Sequence, residues 1–507
     1  MTNTNTITKN TIFLFLRMFI SMSISLYTSR LLLEFLGFVD YGIYNVVGGI
    51  VIFISFLQSS MSSATARFLN IALANGDKAN VSLIFNNAII IHFFLCLVIL
   101  VIGETVGLYV VMNILNFPIE RFEAVKIIYQ LSLITSCIAV LQIPYYALLI
   151  AYEKMRIIAY LGVAQSLLNL LVVYLVKLGL GDNLIIYALM VFVVSLLMRI
   201  IYVIYCNKNI AESKLVLKFD KEIAKPIISF FSWDLFGNFS VAARGEGVMI
   251  LLNMFFGVVI NASTGIANQV QGLLNSFIDN FLIAIRPQLV QNYARKDYDR
   301  MFSLVFIGSK FSFLLMFIIS LPMYLYMEII LKLWLKNIPA FAVSFCKLIL
   351  IFTLISVVFR TIMFSIHATG RVRSMSLING TLYVLILPFS WLALYLGKSP
   401  DFVFIISIIF MLSGQISNTF LLKRYINQFD FILFYREVVL RCFIICIVGY
   451  FLVRHISVQF SESLISILSV CIISSLLVML LSFGLGLNSR ERNQLIDLVV
   501  DKWKKIC

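Results

Sequence analysis

Charge is scarce in this chain. Acidic and basic residues together fill 12% of its 507 positions, against about a quarter in a soluble globular domain. That shortage excludes an ordinary water-soluble protein. Histidine is nearly absent: His92, His367 and His455 stand far apart, so their spacing yields neither a metal site nor a catalytic triad. The eight cysteines lie mostly inside apolar runs and form no CxxC pair. Cys442 and Cys446 share a helix face, which reads as apolar filler rather than a metal pair. No phosphate loop or zinc-ligand spacing is found. Large loops are also missing, the longest on the outer side running over 104–126. The chain does not read as an enzyme.

What is abundant is apolar surface. Hydrophobic residues make 61% of the chain, 45 of them phenylalanine, and the mean hydropathy is +1.01. An apolar run of about 20 residues spans a bilayer as a helix, and helices satisfy their own backbone polar groups there. The weak alternating segments of a membrane β-barrel do not occur. The pattern predicts an all-α polytopic membrane protein with about fourteen spans, over 11–33, 41–60, 82–103, 127–150, 157–178, 184–206, 227–256, 262–286, 302–326, 345–367, 375–396, 402–422, 438–457 and 464–486. The first span is too long for a cleavable signal, carries Arg17 and lacks a small-residue cleavage site.

A net charge of +15 could suit nucleic acid, but its placement argues against that partner. With the N-terminus inside, the basic residues crowd into the cytoplasmic segments, above all 207–226, 286–300, 423–441 and the tail from Arg490. Outer segments hold only Arg121, Lys126, Lys177, Lys332, Lys336, Lys347, Lys398 and Arg454. This is the positive-inside bias, and it places both termini in the cytoplasm.

The chain also repeats itself. GIYNVVGG at 42–49 matches GIANQVQG at 265–272, with Gly42/Gly265, Asn45/Asn268 and Gly49/Gly272 in register. Upstream, LLLEFLG (31–37) faces LLNMFFG (251–257); Arg67 and Arg286 each open a basic loop; AYEKMR (151–156) matches ATGRVR (368–373). The order predicts a six-helix lobe over 1–206, a linker over 207–226, a second lobe over 227–422, and two extra helices with a tail over 423–507. An even number of spans per repeat makes the two lobes parallel, related by an axis along the membrane normal, which suits a transporter. LEFLGFVDYG (33–42) then reads as the outer turn between spans 1 and 2, with Asp40 in water.

Ionisable groups at membrane depth cost roughly 2.5–3.5 kcal/mol each on insertion scales, so each one calls for a reason. In span 1, Arg17 shares a helix face with Ser21, Ser25 and Thr28, while Arg30 and Glu34 sit one turn apart and could pair locally. Span 8 carries the cleanest polar stripe: Asn268, Gly272, Asn275, Asp279 and Arg286, with Gln271 at its edge. It reads as cavity lining, interhelical packing being the alternative. Span 7 brings Asp234, Arg244 and Glu246; span 9 brings Lys310. Arg360 and Arg199 lie where their stems could snorkel to headgroups, the expected role for Arg199. Deep cations outnumber deep acids, which suits a phosphate-bearing substrate, since the planar guanidinium binds phosphate oxygens in pairs.

SRLLLEFLGFVDYGIYNV (29–46), ATARF (64–68) and NGD (75–77) together resemble the opening of polysaccharide flippases in the multidrug/oligosaccharidyl-lipid/polysaccharide exporter superfamily. That resemblance implies a fold of two six-helix lobes plus two helices, like the multidrug exporters. It also implies an inner-membrane flippase that moves an undecaprenyl-diphosphate-linked oligosaccharide, an O-antigen or capsule repeat unit, to the outer leaflet by alternating access. The candidate contacts for the anionic head are Arg17, Arg30, Arg244, Lys310, Arg360, Asn268, Gln271 and Asn275, and the candidate coupling acids for H+ or Na+ are Asp234, Glu246 and Asp279. No metal or other cofactor is expected. The expected partners are membrane lipids and the polymerase and chain-length enzymes of polysaccharide synthesis. Span 1 lacks the arginine-rich pattern of lipid II flippases. A multidrug or cation antiporter of the same superfamily is the main alternative; a membrane glycosyltransferase or polymerase of the same pathway would show a larger outer loop.

Overall fold

The structure is a computed structural model. It describes residues 4–54, 65, 68–69, 72–73, 77–152, 154–179, 181–216, 219–282, 285–458, 464–486 and 492, with side chains except at 4–18, 50–54, 226–238, 280, 287, 294 and 464–468. Among the described residues the only regular structure is helical. Among the described residues, ten helices are long and apolar enough to cross a membrane, or eleven if the bent pair Ala342–Val358 and Arg360–Thr369 counts as one span. The protein is a multi-span helical membrane protein.

Besides the bent pair, three features account for the difference from fourteen. Span 13, the helix Arg441–Val458, is not among the crossing helices. Spans 1 and 2 run together as one helix, Thr4–Ile54, interrupted at Gly37. Span 8 is a 25-residue helix, Val258–Leu282, whose polar stripe makes it too hydrophilic to count as an apolar span. Helix starts at polar joints are capped by aspartates, the residue type that satisfies orphan N–H groups best. Asp77 accepts from the Asn80 N–H at 3.0 Å, Asp182 from Leu184 at 3.0 Å, Asp220 from Glu222 at 2.9 Å and Asp430 from Leu433 at 2.9 Å.

The chain forms two compact units, each drawn from more than one stretch. The first comprises Met1–Ile266, Lys332–Ala342 and Asn379–Ser407. Here Phe122–Ala151, Met155–Val176, Asn183–Asn209 and Lys221–Phe256 pack against Thr4–Ile54. Tyr129, Tyr145 and Phe85 are fully buried, and the Tyr129 hydroxyl donates to the Gly103 carbonyl at 2.6 Å.

The internal repeat has a matching backbone signature. Gly37 (φ 74°, ψ 177°) and Gly257 (φ 76°, ψ −169°) adopt the same conformation, one closed to L side chains on steric grounds. Just beyond each break, the matched glycines make room for the other copy. A Cβ at Gly42 would run into the Val258 carbonyl, and one at Gly265 would lie 2.7 Å from the Asn45 side chain. Asn45 in turn donates to the Tyr41 carbonyl at 2.7 Å. The sequence match therefore marks two helix starts that cross each other closely.

The second unit comprises Ala267–Leu331, Val343–Ile378 and Ile408–Cys507. Its core gathers on Tyr298–Leu325: Phe313, Phe317, Val358, Phe359, Phe429, Phe434 and Ile445 are all buried in one cluster. Arg441–Val458 and Leu464–Leu481, the two extra helices, pack on Tyr298–Leu325 and on each other. A Cβ at Gly449 would lie 2.9 Å from the Phe317 ring, so this contact is close-packed.

Candidate functional site

Within the first unit, the charged pair of Lys221–Phe256 is split between two faces. Residues two apart on a helix point in different directions. Arg244 lies over the Tyr383 ring, 5.6 Å from its centroid, a cation–π contact, and one turn on Gly247 abuts Leu387. Glu246 faces the opposite way, onto Gly49, where a Cβ would come within 2.5 Å of its carboxylate. Only a residue without a side chain admits this carboxylate.

The expected local pairing of Arg30 with Glu34 gives way to contacts across the unit. Arg30 donates to the Leu333 carbonyl at 3.2 Å, and Glu34 pairs with Lys336 at 2.5 Å. Between them the Trp334 indole donates to the Leu26 carbonyl at 2.7 Å. Segment 332–340 is thus fastened along one face of Thr4–Ile54, and Ser263 donates to the Ala340 carbonyl at 2.5 Å. Arg30 is half-buried and held in a structural contact.

In the second unit, residues that the sequence placed on two separate spans, 8 and 10, meet. Arg360 donates through Nη1 to the Asp279 carboxylate and through Nη2 to the Asn275 side-chain oxygen at 2.7 Å. Its side chain is 20% exposed, that of Asp279 58%, so one side of the pair is open. Arg360 opens the second half of a broken helix: Ala342–Val358 and Arg360–Thr369 are bent by 43°. One turn further, Phe364 carries the Arg286 guanidinium over its ring at 5.3 Å. The polar stripe of span 8 and its continuation are therefore engaged by one short helix. Asn268 and Gln271, on the same stripe, are half-buried. Lys310 is buried at 2% exposure, on the helix whose Ser309 hydroxyl lies 2.5 Å from that of Thr361.

The Arg17 and Asp234 side chains lie outside the described residues, as do Arg67 and most of NGD (75–77). Arg199 does not snorkel. It donates to the Leu141 carbonyl and lies over the Tyr145 ring at 4.5 Å, because a guanidinium gains more from a fixed carbonyl and ring than a distant headgroup offers. Asp40 is not a free solvated group either. Arg121 bonds both Asp40 oxygens and reaches Asp182 at 2.5 Å. Burial pushes the Asp182 carboxyl up, but hydrogen bonds from Arg121 and from the Ile185 and Leu184 N–H groups outweigh it and hold it below its ordinary value. This clamp was hidden in the sequence, where its members stand 61 and 81 residues apart; the one available signal was Asp182 at a helix start. No cluster of three metal-ligating side chains occurs among the described residues.

No family model matches the sequence, and no curated protein matches it. Solved structures do share the fold. A multidrug resistance MATE family transporter of the MOP superfamily, in its inward-facing conformation, aligns with a TM-score of 0.69 at 14% identity, over 82% of this chain and 100% of its own. The lipid II flippase MurJ, in an inward closed conformation, aligns with a TM-score of 0.66 at 15% identity, over 92% of this chain and 97% of its own. A MOP superfamily transporter from Pyrococcus furiosus, described by a binding pocket of reversed polarity, aligns at 0.59 and 16% identity over 83% and 96%. The chain has the MATE-like transporter fold.

Proposed function

We propose that the protein is a flippase that carries a lipid-linked oligosaccharide with a diphosphate head across the bacterial inner membrane by alternating access, both termini being cytoplasmic. The observation that carries this reading is the Arg360 fork with Arg286 one turn away: two guanidinium groups along one short helix suit a diphosphate. Two further points support it. The flippase match extends over 92% of this chain, against 82% for the multidrug transporter, and the two extra helices give a lipid tail a surface to follow. In the second unit Lys310 adds positive charge, with Asn268, Gln271 and Asn275 as polar lining for the sugar; Arg244 is a separate candidate contact in the first unit. Asp234, Glu246 and Asp279 are the acids for coupling to H+ or Na+, and synthesis enzymes such as the polymerase are the expected partners.

The test is reconstitution into liposomes with an undecaprenyl-diphosphate oligosaccharide, scoring its transfer with and without an imposed proton or sodium gradient. Transfer is expected, accelerated by one gradient. Absence of transfer alongside efflux of a cationic dye would sink the reading in favour of a multidrug antiporter, which the multidrug transporter's TM-score of 0.69 favours.

A further inference from the structure

We infer that Asp279 is an internal stand-in for the substrate's phosphate: it occupies the Arg360 fork in the unloaded protein, and a diphosphate headgroup displaces it. The inference rests on the flippase reading and specifies how its anion site is kept.

Four observations converge on this exchange. First, the pair is lopsided. Arg360 is mostly enclosed at 20% exposure, whereas the Asp279 side chain is 58% exposed. The guanidinium is thus fixed while its carboxylate partner can swing into the open. Second, the fork is not saturated among the described residues. Its bonds to Asp279 and Asn275 use two of the five N–H donors of a guanidinium, and a phosphate oxygen satisfies the same donors with the same planar geometry.

Third, Arg360 stands at the start of a ten-residue helix that no side chain caps. Helix N-termini favour anions through their unpaired N–H groups and dipole, and the residue that opens this helix is the one that holds the carboxylate. Fourth, Arg286 rests on Phe364, four residues further along. At 1.5 Å rise per residue the two arginines engage this helix about 6 Å apart, a separation that a diphosphate with its coordinating distances can bridge. With Asp279 in place, one of these two cations is neutralised; with Asp279 displaced, both face the ligand.

Among the described residues, the elements that supply these contacts carry Arg360 and His367 on Arg360–Thr369 and Arg286 on Ile285–Ala294. These groups are basic or neutral. A carboxylate here therefore preserves the fork in the absence of substrate, shielding the guanidinium from its basic neighbours. It also sets a threshold: a ligand with one weak negative charge exchanges poorly, and a diphosphate exchanges well.

The test is direct binding to the purified full-length protein in detergent, with farnesyl diphosphate as the lipid probe, inorganic pyrophosphate as the free anion and farnesol as the uncharged control. Removing the competitor by Asp279→Asn should tighten farnesyl diphosphate binding by three- to tenfold, while Arg360→Ala should weaken it at least tenfold. Asp279→Ala serves as the second variant, since Asn can still bond to the fork. Unchanged or weaker binding in both Asp279 variants, with melting temperature lowered, would make the pair a structural brace and overturn the inference. Tightening for pyrophosphate but not for farnesyl diphosphate would also overturn it, by assigning the fork to a free anion. Should the wild type fail to flip lipid-linked oligosaccharide while Asp279→Asn still tightens diphosphate binding, the transport reading fails and the exchange stands.

Discussion

Two arginine forks, one in each compact unit, use the same chemistry differently. Arg121 grips two carboxylates, Asp40 and Asp182, with side-chain exposures of 25%, 17% and 29%. Asp182 is fixed further by two helix N–H groups. Arg121 and Asp182 are each held from more than one side, and Asp40 accepts through both of its oxygens. Arg360 grips one carboxylate and one amide, and its acid is more than half exposed. Nothing but Arg360 is seen to hold the Asp279 carboxylate among the described residues. An ion pair braced on all sides contributes to stability. An ion pair with one open, singly held partner is suited to exchange.

The largest effect is expected where neither fork matters, at the crossing of the two repeats. Gly42→Val places a side chain against the Val258 backbone, and overpacking of backbone rather than a flexible side chain should cost about 3 kcal/mol or more. Little monodisperse protein should be recovered on gel filtration. Normal yield would mean that the crossing is looser than it looks. Next, Arg360→Ala should lower oligosaccharide transfer at least tenfold while leaving the melting temperature near that of the wild type. A large fall in melting temperature would erase the contrast between the forks.

Arg121→Ala should do the reverse. It strands two half-buried carboxylates, which costs roughly 1–3 kcal/mol, visible as a lower melting temperature with transfer nearly intact in the protein that inserts. The same clamp carries a pH signature. The folded Asp182 carboxyl lies below its unfolded value of 3.8, so its contribution is present above that pH and is lost as pH falls through the lower folded value. The acid limb of a melting-temperature profile should therefore flatten in Arg121→Ala; an unchanged limb would remove Asp182 from the account. The smallest effect is expected from Lys336→Met. Its pair with Glu34 is exposed, and such pairs contribute about 0–1 kcal/mol. A shift larger than that would promote the 332–340 fastening above the clamp.

The helices and the repeat were legible because they depend on local facts. Apolar runs of fixed length make spans whatever their neighbours, and Gly37 and Gly257 end matching runs because both need a backbone that other residues avoid. The polar stripe of span 8 was legible for the same reason, from helical spacing alone. Partners were not. Arg30 with Glu34 looked paired at one turn, yet each bonds to segment 332–336, about 300 residues away in the chain. Arg199 looked placed for the headgroups, yet a carbonyl and a ring were nearer.

The chain by itself determined that this is a helical membrane protein, where it doubles back, and that its buried charge is mainly basic. Burial in lipid and backbone sterics act on each residue from its own immediate sequence. Only the tertiary structure decided which cation meets which acid, and how openly. Coulombic and hydrogen-bond energies depend on distance through space, and Arg360 and Asp279 are 81 positions apart until the fold brings them into contact.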